Sequence, residues 1–241
     1  MRLKRGLAGG AAAVLLAGAG LSQDMAGANL DHAARGVRGG VAMLALAQDL
    51  YGLGLAQKDA LTVLAAARLA GSVEVRMIAR HRVTEAAAGA VGGGAVGGGT
   101  VSGGGGSGGA LPMGADAMLA VARGLAGEDE TIGGLIEAAA AARVFGQAEL
   151  AQATAAQLAA GGVDQWRIPL FGGAYAEIAV LGNGTGNLDV AVTDENGHAV
   201  CLDVGWTDRI YCDFTPAENG YFTVRVENLG ASDNRYRLLT N

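Results

Sequence analysis

The sequence predicts an α+β multidomain chain, with Ala/Gly-rich helices in its N-terminal part and an antiparallel β-sandwich at its C-terminus. Three observations predict it. Nine of the eleven aromatic residues (Trp166, Phe171, Tyr175, Trp206, Tyr211, Phe214, Tyr221, Phe222, Tyr236) and both cysteines fall after residue 163, so the side chains best able to build a core are concentrated in the last third. Before that point the apolar content is largely alanine interrupted by many of the 42 glycines, which add chain entropy without burying surface. Near residue 163 the hydrophobic period changes from helical to alternating.

Residues 1–28, MRLKRGLAGGAAAVLLAGAGLSQDMAGA, read as a signal peptide. Arg2, Lys4 and Arg5 form a basic start, Leu7 to Leu21 a weakly apolar run, and Ala17 with Ala19, or Ala26 with Ala28, offer small residues for cleavage. The alternative is a short membrane anchor, but a span needs about 20 apolar residues, and this run is shorter and loaded with glycine. No later stretch would cross a bilayer, so no span is expected after cleavage, and the mature chain is expected to be periplasmic or secreted. Cleavage after Ala28 removes three basic residues and one acid, taking the net charge from -6 to -8. Such an acidic chain carries no electrostatic footprint for nucleic acid.

Residues 29–88 read as a helical segment: VAMLALAQDLYGLGLAQ, DALTVLAAARLAG and SVEVRMIARHRVTEAAA. Asp59 and Ser72 stand at N-cap positions, and Gly71 is a natural stop. Each internal glycine, such as Gly52 or Gly54, weakens a helix by about 1 kcal/mol relative to alanine. Arg76 to Arg82 form a basic helical patch that can face solvent, the acidic sandwich or an anionic envelope polymer. Residues 89–110 form a Gly-rich flexible linker, with thirteen glycines in positions 89–109 and an r.m.s. reach of roughly 25 Å. Residues 111–162 again read as helical, ending in QAELAQATAAQLAA before Gly161 and Gly162. The two helical segments share a Gly-Leu-Ala, polar-turn, apolar-helix order, and two such pairs facing each other would make a small bundle.

Residues 163–241 contain seven strand-sized runs: QWRIPLF, AYAEIAVL, LDVAVTD, HAVCLDV, DRIYCDF, YFTVRVEN and RYRLLTN. Turn signals rich in Gly, Asn and Pro separate them, the spacing of an antiparallel sandwich. Alternation sends Ile178 with Val180, Leu188 with Val190 and Val192, and Phe222 with Val224 and Val226 to the core. Cys201 and Cys212 enclose ten residues, and an even pair in an exported chain predicts a disulfide. Closing such a loop is worth on the order of 3 kcal/mol. The alternative use of these cysteines is a metal site with His198 and Asp203 or Asp213, but alternation puts His198 and Cys201 on opposite faces and no second close ligand pair follows.

The order AYAEIAVLGNGTG, LDVAVTDENG and GYFTVRVENLG with a closing YRLLT resembles the bacterial pre-peptidase C-terminal domain, over roughly Trp166 to Asn241. The resemblance implies a small jelly-roll-like sandwich acting as a non-catalytic accessory or binding module. Leu188, Asp189, Val190 and Val192 match the family's central strand and Asp194 to Gly197 its polar turn, whereas Ala191 replaces a larger residue.

Two candidate surfaces follow. Asp189, Asp194, Glu195 and Asn196 can offer oxygen ligands to calcium at a sandwich edge, or they can form a hairpin turn in which Asn-Gly supplies the positive φ angles. Trp206 and Tyr211, in and beside the cysteine-bounded loop, can stack on a sugar face or fill the core. Neither G-x-S-x-G at Gly105–Gly109 nor G-x-G-x-x-G at Gly92–Gly97 has the strand-turn-helix context its chemistry requires. His32, His81 and His198 are scattered, and no catalytic residue or cofactor other than calcium is expected. The expected function is therefore that of an exported, non-catalytic protein whose sandwich binds an envelope or secreted protein or a polysaccharide. A hydrolase-associated role or a self-assembling structural envelope protein is the alternative.

Overall fold

The computed structural model describes residues 27–34, 36–86, 114–142, 149–184 and 186–241. Most of the expected signal peptide, the whole of the expected Gly-rich linker and the two glycine motifs lie outside the described residues. In chain order the elements are α1 (Gly40–Gln57), α2 (Ala60–Gly71), β1 (Val73–Met77), β2 (Arg82–Glu85), α3 (Ala115–Ala126) and α4 (Glu130–Ala142). There follow β3 (Glu149–Leu158), β4 (Val163–Leu170), β5 (Ala176–Leu181), β6 (Leu188–Thr193), β7 (Ala199–Asp203), β8 (Arg209–Phe214), β9 (Gly220–Asn228) and β10 (Asn234–Thr240).

The strands form two five-stranded sheets, sheet A in the order β1-β3-β10-β5-β8 and sheet B in the order β2-β4-β9-β6-β7. All pairings are antiparallel except β1 with β3. The seven expected C-terminal runs are β4 to β10, and their alternation sends Trp166, Ile178, Val180, Leu188, Val190, Phe222, Val224 and Leu238 into one inter-sheet core. The α+β sandwich architecture is as the sequence predicts.

Three expectations about the N-terminal part are corrected. SVEVRMIARHRVTEAAA is not a helix: Ser72 is the C-cap of α2, and the chain continues as β1, a short crossover and β2. Alternation in VEVRM and RVTE, with β-branched valine and threonine, satisfies a strand at a sheet edge. Arg76 and Arg82 therefore lie on strands rather than on a helical patch. QAELAQATAAQLAA is likewise a strand over most of its length, β3. Its Ala151 and Ala153 face the helices while Ala156 and Leu158 face the sandwich core, so tertiary packing overrides the helix propensity of alanine. The sandwich consequently draws strands from before residue 163 into both sheets.

The helices cover the outer face of sheet A. On α1, Val41, Leu44, Ala47 and Tyr51 recur at helical spacing and join Val63 and Ala67 of α2, Met118 and Ala122 of α3, and Leu239 of β10 in a second core. Small residues at Ala151, Ala153 and Ala179 let the helices approach the sheet. Gly54 has a packing reason too, since a Cβ there would lie 2.7 Å from Val63 Cγ2 and 2.9 Å from its backbone nitrogen. The Asp59 cap forms as the sequence predicts, its carboxylate accepting from the Leu61 N–H at 2.9 Å and from the Thr62 hydroxyl. Hydrogen bonding to both holds the Asp59 carboxyl below the usual range. At α1 the N-cap is Gly39, with no side chain to cap with. Buried Glu177 of β5 supplies the acceptor instead, its Oε1 taking the Gly39 N–H at 2.9 Å.

Candidate functional site

Sheet A is covered on both faces, by helices and by sheet B, whereas among the described residues sheet B has only its inner face covered, by sheet A. The register fixes what its outer face presents. One row runs across all five strands as Val83, Gln165, Arg225, Ala191 and Leu202. The adjoining row holds Glu85, Val163, Glu227 and Asp189. Arg225 pairs with Glu227 at 2.6 Å, and Gln165 donates to Glu85 at 2.9 Å. The Asp189 carboxyl is raised from its ordinary value by partial burial and by the nearby acids Glu227 and Asp203, against the opposing pull of Arg225. At the far end of β9, Arg167 stacks over the Tyr221 ring at 4.0 Å, a cation–π contact on an exposed surface.

Beside this face lies the loop between β7 and β8. Cys201 and Cys212 are bonded, with Cα atoms 6.2 Å apart, joining the edge strand of sheet B to the edge strand of sheet A. Within the enclosed loop Trp206 is 92% exposed, and Leu202 and Val204 are also open to solvent. The loop backbone is nonetheless anchored. Leu188 N–H donates to the Thr207 carbonyl at 3.0 Å, and Gly182 N–H to the Asp208 carbonyl at 2.7 Å. Gly205 N–H donates to Asp203 Oδ1 at 3.0 Å. The buried Asp208 carboxylate accepts from Gly184 N–H at 2.8 Å and from Asn234 Nδ2 at 3.1 Å. A Cβ on Gly182 would stand 2.4 Å from Asp208 Oδ2, so the glycine-rich turn after β5 is shaped by this carboxylate. Trp206 thus projects from a fixed frame.

The predicted candidates are only partly brought together. Tyr211 is separated from Trp206: it lies on β8 against the helices, and its hydroxyl donates to Glu177 Oε1 at 2.7 Å. Burial, Glu177 and Tyr175 push the Tyr211 phenol well above its ordinary range. Asp194, Glu195 and Asn196 form the turn from β6 to β7, where Gly197 takes φ +85°, while Asp189 lies at the other end of β6. Both Asp194 oxygens are committed to protein donors. Oδ1 accepts from Asn196 and His198 N–H groups at 2.9 Å each, and Oδ2 from Asn29 N–H at 2.9 Å, with His198 Nδ1 at 3.3 Å. Burial works to raise this carboxyl, but those bonds outweigh it and hold it low. Asp189 and the turn residues are thus not brought together at one site, and among the described residues no group of three or more His, Cys, Asp or Glu is placed to hold a metal. No helix among the described residues is long and apolar enough to cross a membrane.

Strand alternation separates Tyr221 and Arg225 from the buried Phe222 and Val224, but sequence reasoning did not name Tyr221, Arg225 or Leu202 as candidate site residues. It also missed the buried chain of bonds at the opposite edge. There Trp166 Nε1 donates to the Tyr236 hydroxyl at 2.7 Å, which donates to Asp164 Oδ2 at 2.6 Å. Arg82 pairs with the same oxygen at 3.0 Å, and the Thr84 hydroxyl donates to Asp164 Oδ1 at 2.5 Å.

No protein-family model matches the sequence, and no curated protein matches it. Among solved structures the chain is similar to the pre-peptidase C-terminal domain of collagenase from Bacillus anthracis, at 15% identity and a TM-score of 0.29 over 36% of this chain and 88% of that one. It is also similar to a family 35 carbohydrate-binding module from Clostridium thermocellum, at 24% identity and a TM-score of 0.24 over 34% of this chain and 71% of that one.

Proposed function

We propose that this is an exported, non-catalytic protein whose sandwich binds polysaccharide on the open face of sheet B, with Trp206 as the anchoring aromatic. One observation carries the reading: an indole 92% exposed on a loop tied down by a disulfide and by backbone bonds. An aromatic left in water forgoes burial energy on the order of 2 kcal/mol, and a rigid frame that holds it there pre-organises it for a partner. A pyranose ring offers an apolar C–H face to an indole and hydroxyl groups to flanking polar side chains. Arg225, Glu227, Asp189 and Gln165 supply donors and acceptors on the adjoining face, where the small Ala191 stands between Arg225 and Leu202 in the register. The helices cover the other sheet, so among the described residues the outer face of sheet B is the one open to a ligand. Export is supported by the disulfide, which persists in oxidising compartments.

The test is electrophoresis of the full chain through gels cast with individual cell-envelope polysaccharides. The chain is expected to be retarded by at least one of them, and Trp206→Ala to run as in a blank gel. Equal retardation of both proteins would remove Trp206 from the site. Because Trp166 is fully buried, acrylamide quenching reports chiefly on Trp206, and a bound polysaccharide should shield it.

A further inference from the structure

Asn29 is held to the sandwich by bonds of its own. Its backbone N–H donates to Asp194 Oδ2 at 2.9 Å. Its side chain clamps Glu218 in both directions, with Nδ2 donating to the Glu218 carbonyl at 3.0 Å and Oδ1 accepting the Glu218 N–H at 2.8 Å. Downstream, Leu30 packs against the inter-sheet core and Asp31 N–H donates to the Thr215 carbonyl at 2.8 Å. None of these contacts requires the residues before 29. Those residues are Ala26, Gly27 and Ala28, which place small side chains where a signal peptidase reads them.

The acceptor is unusual in its burial. The Asp194 side chain has no solvent exposure, and the donors around it are backbone N–H groups and the His198 ring. No lysine or arginine reaches it among the described residues. The other charged groups nearby are Glu195, whose Oε2 lies close to Gly220, and Glu218, which presents backbone groups to Asn29. A buried carboxylate is costly unless paired, and the one donor that processing can turn into a cation is the nitrogen of Asn29.

We propose that Asn29 is the mature N-terminus, and that the α-ammonium group released by removal of residues 1–28 docks on the buried Asp194 carboxylate as an ion pair. In that step water adds across the Ala28–Asn29 amide. The carboxylate leaves with the leader, and the new amine on Asn29 takes up a proton. The single N–H that Asn29 offers Asp194 then becomes an ammonium group with three, and the bond becomes charge-assisted. Among the described residues the step gives up two contacts, the Leu30 N–H to Ala28 carbonyl bond of 2.7 Å and the packing of partly buried Ala28 against the inter-sheet core. Cleavage occurs on the chain before it folds, so partial burial of Ala28 does not obstruct it. The inference rests on the export reading for its processing step and is independent of polysaccharide binding.

Two measurements test it. Intact mass and N-terminal sequencing of the protein recovered from the exported fraction should give Asn29 as the first residue; any other first residue overturns the processing site. For docking, a chain released from a cleavable fusion with Asn29 first is acylated at neutral pH and compared with a chain that retains Gly27 and Ala28. The only lysines are Lys4 and Lys58, so exposed Lys58 is a built-in reference amine in both chains. A pairing that raises the amine by one pKa unit leaves about tenfold less free base, so the Asn29 amine should react at least about tenfold more slowly than the Gly27 amine. Equal rates overturn docking. Asp194→Asn should restore fast acylation, and the comparison of the two chain starts decides the matter even if that variant does not fold.

Discussion

The two lateral edges of the sandwich are closed by different means. At one edge β7 and β8, consecutive in sequence, are joined by an exposed loop and by the Cys201–Cys212 bond. At the other edge β1 and β2 come from the N-terminal half and cross between the sheets through residues 78–81. Nothing covalent holds that crossover down, and polar side chains do so instead. Arg80 reaches Thr154 at 2.8 Å and Thr240 at 2.6 Å, both on the inner side of sheet A, while Arg82 and Thr84 engage buried Asp164. The comparison teaches how strands far apart in sequence are recruited: a buried acid and a row of hydroxyls on the C-terminal strands fix the register of two short strands that arrive from elsewhere.

The largest expected break is at the non-covalent edge. Arg82→Ala leaves Asp164 buried without its cation and should cost about 3–5 kcal/mol, measured as the shift of a urea-unfolding curve at constant slope. Reduction of the disulfide should cost about 3 kcal/mol. It should free the β7–β8 loop while leaving β2 paired with β4, which hydrogen exchange resolved by peptide would separate. Arg80→Met keeps the aliphatic stem but removes the donors to Thr154 and Thr240, with an expected loss of about 1–3 kcal/mol. Burial lowers the Arg80 guanidinium to about 10, so the fold disfavours its charged form. As pH rises through that value the buried group sheds its proton while the unfolded chain keeps it, and this group's contribution to stability should rise rather than fall, which urea unfolding at alkaline pH with Arg80→Met as the reference checks. The smallest effect sharpens the contrast: Trp206→Ala should leave stability within about 0.5 kcal/mol of the parent, because the indole touches solvent and not the core.

The same contrast explains what could be read from the sequence. β4 to β10 were legible because their alternation and their turn residues agree, and the cysteine pairing was legible because it spans one loop. β3 was hidden by its own alanines, whose small size serves close helix packing on one face but reads as helix propensity. β1 and β2 are too short and too charged to stand out, and their partners lie more than 70 residues away. The site divided in the same way. Asp194 to Gly197 read correctly as a turn, but the bond from Asn29 to Asp194 spans 165 positions and no local pattern announces it. Trp206 and Tyr211 are close in sequence, yet a loop residue and a strand residue need not share a face, and these two end on solvent and on the helices respectively.

The position of β10 has a consequence for how the protein is made. It sits between β3 and β5, so the last residues of the sheet to be synthesised are its middle. Until residues 234–240 are made, β3 and β5 lack the strand that lies between them, so sheet A can be completed only by the last strand in its sequence.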